Sequence, residues 1–270
     1  MDLEQYENTA RWLREQTLLM AARAGSSHVG SCLSMADILS VLYEKILNID
    51  PDRPNWKNRD RFILSKGHAV APLYAMLAKK GFFSKDKLES YYLNGSDLHG
   101  HITHTDVPGV ESSTGSLGHG LSIASGIALS AKKDNKDYHT FALLSDGECD
   151  EGSTWEASLF ASQQGLDNLT AIVDYNKIQA CGRVEDVLDL DSLSEKFESF
   201  GWSVKEINGH NPREIEQSLL DLPLKENRPS CIVANTVKGK GVSFMEDTVE
   251  WHYGFPDDEE LEQALRELRR

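Results

Sequence analysis

The 270-residue sequence has no run approaching the roughly 18 uncharged apolar residues that a membrane-spanning helix needs, so no transmembrane segment is expected. Cysteine is scarce: Cys32, Cys149, Cys181 and Cys231 are scattered without a C-x-x-C pair. That argues against a disulfide framework and for a reduced, cytoplasmic protein. Basic charge is short as well, with 28 Lys and Arg against 43 Asp and Glu, a net charge of −15. Nucleic acid and anionic membrane are therefore not expected as partners, because such binders need a basic face. Met1–Ala10 carries Asp2, Glu4 and Glu7, the wrong charge for a secretory leader. No internal repeat, low-complexity stretch or interdomain linker is visible. What is present is ordinary globular composition, 40% hydrophobic and 26% charged, which excludes disordered and collagen-like chains. The length suits one large domain spanning residues 1–270. The acidity sets a condition: an anionic ligand such as a diphosphate needs positive charge supplied locally, by a metal, histidines or helix N-termini.

Periodicity and capping signals give helices and strands in alternation. Leu3, Tyr6, Ala10, Leu13, Thr17 and Met20 recur at helical spacing over residues 1–24, ending at Gly25. Ser34 and Asp37 predict a second helix through Leu47, with Pro51 and Pro54 beyond it. Arg61–Ser65 reads as a short buried strand running into Lys66-Gly67-His68, and Ser84 as the cap of a helix through Tyr92. A long loop, Leu93 to Gly115, carries His99, His101 and His104, and a loop of that length in a compact domain points to function. A helix over about Leu117–Lys133, a strand over Tyr138–Leu144, a helix over Ser153–Gln164 with the capping box Ser153…Glu156, and a strand over Leu169–Asp174 follow. Further on come a helix begun by Ser192…Glu195 and stopped at Gly201, and strands over Trp202–Ile207 and Cys231–Thr236. Those two strands flank a helix capped by Asn211. The chain closes with an acid-capped helix from Asp257 to Arg269-Arg270. Apolar strands without period-two alternation, separated by helices, predict an α/β fold with a predominantly parallel sheet covered by helices on both faces. In such sheets ligands bind at the carboxyl ends of the strands.

The chemistry is concentrated at two of those ends. The strand Thr140–Leu144 runs into Ser145-Asp146-Gly147-Glu148, and after a helix the next strand ends in Asp174-Tyr175-Asn176-Lys177-Ile178. Consecutive parallel strands would set Asp146 and Asn176 side by side. A carboxylate, an amide oxygen and a nearby carbonyl are half of a hard-cation octahedron, which phosphate oxygens and water could complete. Gly147 would let backbone N–H groups approach those phosphates. An Asp-Gly turn after a strand is commonplace by itself. The spacing from Asp146 to Asn176, in strand–helix–strand context, is what raises it above that.

This pattern resembles the thiamine-diphosphate signature, with Ser145 where glycine is usual and Tyr175 where a second Asn is common. The likeness extends to the transketolase family. Ser26-Ser-His28-Val-Gly30 and Leu64-Ser-Lys-Gly-His68 look like its first two histidine motifs. Gly100-His101 with Pro108-Gly-Val-Glu111 is similar to the third, although Ile102 replaces a usual proline and His99 is a rival for the role. Thr114-Gly115-Ser-Leu117-Gly-His-Gly120 resembles the glycine turn around the cofactor's middle, with His119 where glutamine is common. Lys238-Gly-Lys-Gly241 leading to Trp251-His252 resembles the segment of the fourth histidine.

The resemblance implies thiamine diphosphate bound through Mg²⁺ or Ca²⁺, with Asp146, Asn176 and the Ile178 carbonyl on the metal. Gly147, His68 and His252 would contact the diphosphate; Gly115, Ser116 and Leu117 would support the rings. His28, His101 and His252 would line a sugar-phosphate channel, where imidazole can both donate and accept protons near neutrality. His104, His139 and His210 are expected to be surface or structural, and His99, His101 and His104 lack the spacing of a zinc site. Within the family, the glutamate that meets the cofactor's pyrimidine lies in a second domain, which this sequence does not show. The expected enzyme is therefore the N-terminal subunit of a split transketolase of the pentose phosphate pathway. It would be active only with a C-terminal subunit carrying the pyrimidine-binding domain, as two copies of each chain, with Glu151 relaying between sites. A deoxyxylulose-phosphate-synthase-like chain would lack the acid at Glu151, and a 2-oxo-acid-dehydrogenase α chain typically has an aromatic at Ile178. A non-catalytic cofactor-binding module would have no need of the channel histidines.

Overall fold

The computed structural model describes residues 3–269. Helix α1 (Leu3–Ala24) leads through a left-handed Gly25 into α2 (Val29–Ser34) and α3 (Ala36–Val41), which runs on in a π-helical turn, Leu42–Ile46. The helical path thus starts five residues before the expected Ser34 cap. Ser34 ends α2, and its hydroxyl reaches Asp174 at 2.5 Å in place of capping. Strand β1 (Arg61–Leu64) precedes α4 (Ala71–Lys80); Ser84 caps, through the N–H of Asp86, a 3₁₀ segment at Lys85–Ser90 in place of the expected α-helix. No helix or strand occurs between Ser90 and Gly120, so the expected long loop is present.

The second half alternates regularly: α5 (Gly120–Lys133), β2 (Thr140–Ser145), α6 (Gly152–Gln163), β3 (Leu169–Tyr175), α7 (Val184–Val187), α8 (Leu193–Ser199), β4 (Ser203–Asn208), α9 (Pro212–Leu220), β5 (Ser230–Asn235) and α10 (Asp258–Leu268). Ser192, Asn211 and Asp257 cap α8, α9 and α10 through their side chains, the last with Glu260 as a full capping box. The Ser153…Glu156 box is not formed. Helix α6 begins one residue earlier at Gly152, and the Ser153 hydroxyl donates to the Gly118 carbonyl at 2.9 Å. Met1, Asp2 and Arg270, expected in the end helices, lie outside the described residues.

The sheet is wholly parallel, in the order β1-β2-β3-β5-β4. Successive residues of one strand feed opposite cores, as the period of two requires. Phe62, Leu64, Phe141, Leu143 and Ile172 pack under α1, α3 and α4; Ile63, Ala142, Leu144, Ala171 and Val173 pack under α5, α6 and α8. Both faces being apolar explains the unbroken hydrophobic runs in the sequence. A third cluster joins Leu18, Val29 and Leu33 to Val242, Met245 and Leu268, fastening the C-terminal segment against α1 and α2. No described helix is long and apolar enough to cross a membrane.

Candidate active site at the strand ends

Register decides what meets at the carboxyl edge. Ser145 at the end of β2 lies opposite Asp174 of β3, so Asp146 and Asn176 leave the sheet on adjacent strands. Ser145 has no positive φ, and serine in place of glycine therefore costs no backbone strain here. Asp146 is 2% exposed, and its carboxylate accepts the N–H of Gly147 at 2.8 Å and of Lys177 at 2.7 Å. Burial, then the charge of Asp174, push its pKa up to about 7. This carboxylate stands in a pocket short of positive charge. Asn176 Oδ1 accepts the N–H of Ile178 at 3.2 Å, and the Ile178 carbonyl accepts Lys238 Nζ at 3.0 Å. No cluster of three or more His, Cys, Asp or Glu side chains able to hold a metal occurs among the described residues. The donors here are of another kind: one carboxylate, one amide oxygen and one carbonyl, all hard oxygens around an undercompensated charge, and they fit a divalent cation that also takes phosphate oxygens.

Beneath this edge is a fully buried ion pair, Lys66 to Asp174. The same carboxylate takes hydrogen bonds from Ser34 and Thr236, and Lys66 also reaches the Ser31 carbonyl at 3.0 Å. Burial alone would raise the Asp174 pKa; the Lys66 ammonium and these hydrogen bonds outweigh it and hold the carboxyl below its ordinary value.

Four histidines from four distant segments share one cleft of about 350 Å³ with Asp146, Gly147, Asn176, Ile178, Gly115, Leu117 and Glu151. The His28 ring lies 4.8 Å from His68, 5.1 Å from His252 and 6.0 Å from His101, centroid to centroid. His28 adopts a left-handed backbone (φ 71°), and its N–H donates to the His252 carbonyl at 2.8 Å. A non-glycine residue in that region is uncommon, and here it turns the ring toward the strand ends. Burial holds His28 near a pKa of about 4 and His252 near about 3, with His101 assisting at the first and Lys238 at the second; His68 is held well below its ordinary value by burial, then by His28. These three rings are neutral at physiological pH. Lys238 Nζ donates to His252 Nδ1 at 2.8 Å, which leaves the proton of that ring on Nε2.

The long loop reaches the site by close backbone contact. A Cβ at Gly67 would lie 2.4 Å from the Thr114 carbonyl oxygen, and Gly115 has φ +149° with the His101 ring 2.9 Å from where a Cβ would be. Fully buried Glu148 ties the parts together, accepting from Ser65, from Ser145 N–H at 3.0 Å and from Gly118 N–H at 3.0 Å. Glu151, the N-cap residue of α6, makes no capping bond with its side chain and stands exposed on the cleft wall.

Of the residues singled out in the sequence, Ser116 alone lies off the cleft lining; it is exposed on the glycine turn. His99 is exposed outside the cleft, and His104 bonds Ser113 at 2.8 Å, so His101 is the loop histidine that faces the site. His139 and His210 are structural, bound to Thr170 at 2.8 Å and to Asp37 at 2.7 Å. Sequence reasoning passed over Lys66, Asp174 and Glu148, whose signal was an ionisable residue inside or next to an apolar strand. It also passed over Ser31, Gln179 and Tyr253, which line the cleft and have no such signal.

Residues 5–268 match the family model described as transketolase, thiamine diphosphate binding domain. This chain belongs to the transketolase family. One of the two chains of an apulose-4-phosphate transketolase from Phocaeicola vulgatus, named as a subunit, is 41% identical over 268 residues, covering 99% of this chain and 95% of that one. A 6-deoxy-6-sulfo-D-fructose transketolase subunit from Clostridium is 39% identical, over 98% of this chain and 96% of its own length. The transketolase of Campylobacter jejuni superposes with a TM-score of 0.94 at 33% identity, over 100% of this chain and 43% of that one. The chain thus spans about two-fifths of a one-chain transketolase and nearly the whole of a transketolase subunit. It is the thiamine-diphosphate-binding part of a transketolase, of the form divided over two chains.

Proposed function

We propose that this chain works as the cofactor- and metal-binding subunit of a two-chain transketolase, transferring a two-carbon ketol unit from a ketose phosphate to an aldose phosphate. The observation that carries the reading is the convergence of His28, His68, His101 and His252 on the cleft that holds Asp146, Asn176 and Ile178. Asp146, Asn176 and the Ile178 carbonyl would hold Mg²⁺ or Ca²⁺, and Gly147, His68 and His252 would receive the diphosphate. A cation there supplies the positive charge that a protein of net charge −15 lacks. Gly115, Ser116 and Leu117 would flank the rings of the cofactor. When bound, thiamine diphosphate supplies a nucleophilic carbon able to take the ketol fragment. The chain's own residues do the rest: neutral His28, His101 and His252 accept and donate hydrogen bonds to sugar hydroxyls, and can pass protons among them. Lys238 fixes which nitrogen of His252 donates.

A second chain would supply the glutamate that meets the pyrimidine and the groups that grip the sugar phosphate, in a complex of two copies of each chain. The naming of full-length relatives as subunits supports this division. The free cysteines suit a reducing compartment, the cytoplasm. Glu151, exposed beside the site, is placed to face that partner.

The test is ketol transfer from xylulose 5-phosphate to ribose 5-phosphate, with this chain alone and with the chain carrying the pyrimidine-binding domain. Turnover is expected only for the pair. Glu151→Gln should impair activation of the pair while leaving the melting temperature of this chain unchanged. Enzyme-like turnover by this chain alone would refute the divided site.

A further inference from the structure

We propose that Tyr253 is a substrate-contacting residue that helps set sugar specificity, its ring forming the apolar wall against which the carbon face of a sugar phosphate lies; this rests on the reading above. Tyr253 lines the same cleft as the histidines, yet it is 65% exposed. Its ring stands edge-to-face with His252 at 4.8 Å and with His28 at 5.7 Å. A tyrosine left this open contributes little to folding, since stabilisation follows the apolar area removed from water.

Nor is the ring on a loose strand. It follows the 3₁₀ turn Glu250–His252, fixed by Trp251 Nε1 to the Phe244 carbonyl at 3.0 Å, by Gly254 N–H to the Glu250 carbonyl at 3.0 Å, and by His28 N–H to the His252 carbonyl at 2.8 Å. An aromatic plate is thereby held beside two neutral imidazoles. The chemistry is divided: rings with N–H and lone pairs for hydroxyls, and a flat apolar face for the C–H side of the same sugar. No hydrogen bond to the Tyr253 hydroxyl is formed among the described residues, so the ring, not the oxygen, is fixed by its surroundings.

The measurement uses the two-chain complex with thiamine diphosphate and Mg²⁺, comparing wild type, Tyr253→Ala and Tyr253→Phe. Read out are KM and kcat for xylulose 5-phosphate and ribose 5-phosphate, cofactor Kd, and binding of xylulose 5-phosphate by calorimetry without acceptor. Tyr253→Ala should raise KM and sugar Kd about tenfold, the scale of losing one apolar wall, with cofactor Kd within twofold of wild type. Tyr253→Phe should recover most of that loss. Unchanged KM and sugar Kd in Tyr253→Ala overturn the proposal, as does a phenylalanine variant as impaired as alanine, which would move the role to the hydroxyl. A wild-type complex that binds the sugar through Tyr253 without turnover overturns the transketolase reading alone; one that neither turns over nor binds any sugar phosphate overturns both.

Discussion

Asp146 concentrates the electrostatics of the site in one side chain. With no cation beside it, burial and Asp174 hold its carboxyl up to about 7, so at neutral pH the group is only partly charged. A bridging divalent ion reverses that balance and lets an anionic diphosphate approach. Asp146→Ala should therefore abolish Mg²⁺-dependent binding of thiamine diphosphate; calorimetry showing wild-type affinity in the variant would remove Asp146 from the metal site. The histidines divide by position. His101→Ala is expected to lower turnover or raise KM for the sugar with cofactor affinity nearly unchanged, whereas His99→Ala, outside the cleft, should be silent. Steady-state kinetics of the two variants decide between them, and a crippled His99→Ala would reverse the assignment.

At the scale of elements, one carboxylate fastens the sheet edge together. Asp174 on β3 binds Lys66 beyond β1, Ser34 at the end of α2 and Thr236 beyond β5. Lys66→Met removes the ammonium and leaves an uncompensated buried charge, a change that costs about 3–5 kcal/mol in comparable pairs. Denaturant unfolding should show a loss of that order, and a loss under ~1 kcal/mol would mean that Asp174 simply takes up a proton. The same edge shows what turn chemistry conceals. Ser153 has the sequence signature of a capping box, yet its hydroxyl is taken by Gly118 of the glycine turn, a contact made across 35 positions of chain. A local signal was present, but a tertiary partner outcompeted it.

For the whole molecule, the pH dependence of stability includes a contribution from a histidine far from the cleft. His139 sits between Asp60 and Thr170, its ring against Phe141, and burial holds its pKa down to about 4. The unfolded chain takes up a proton at this residue near its ordinary value of 6.5, while the folded chain resists until about 4. Acidification through that window therefore favours unfolding, and the contribution of neutral His139 is fully present above 6.5. In His139→Gln this term vanishes. The stability gap between wild type and variant, measured by urea unfolding at several pH values, should narrow as pH falls from 7 to 4. A gap that widens or stays constant would show that His139 is not buried in its neutral form.

By itself the sequence determined the architecture and most of the site. Apolar strands alternating with capped helices require a parallel sheet covered on both faces, and the motifs at the strand ends place Asp146, Gly147, Asn176 and Ile178 on its carboxyl edge, because periodicity and strand order are local or short-range properties. The tertiary structure decided what depends on distance. It chose His101 over His99, because the loop's register is set by Gly67 packing on Thr114 and Gly115 on His101. It made α2 begin at Val29, with Ser34 turned to Asp174. It brought Lys66, Asp174, Lys238 and Tyr253 to the cleft or beneath it. Burial and long-range charge pairing are properties of the folded arrangement, and spacing along the chain carries no record of them.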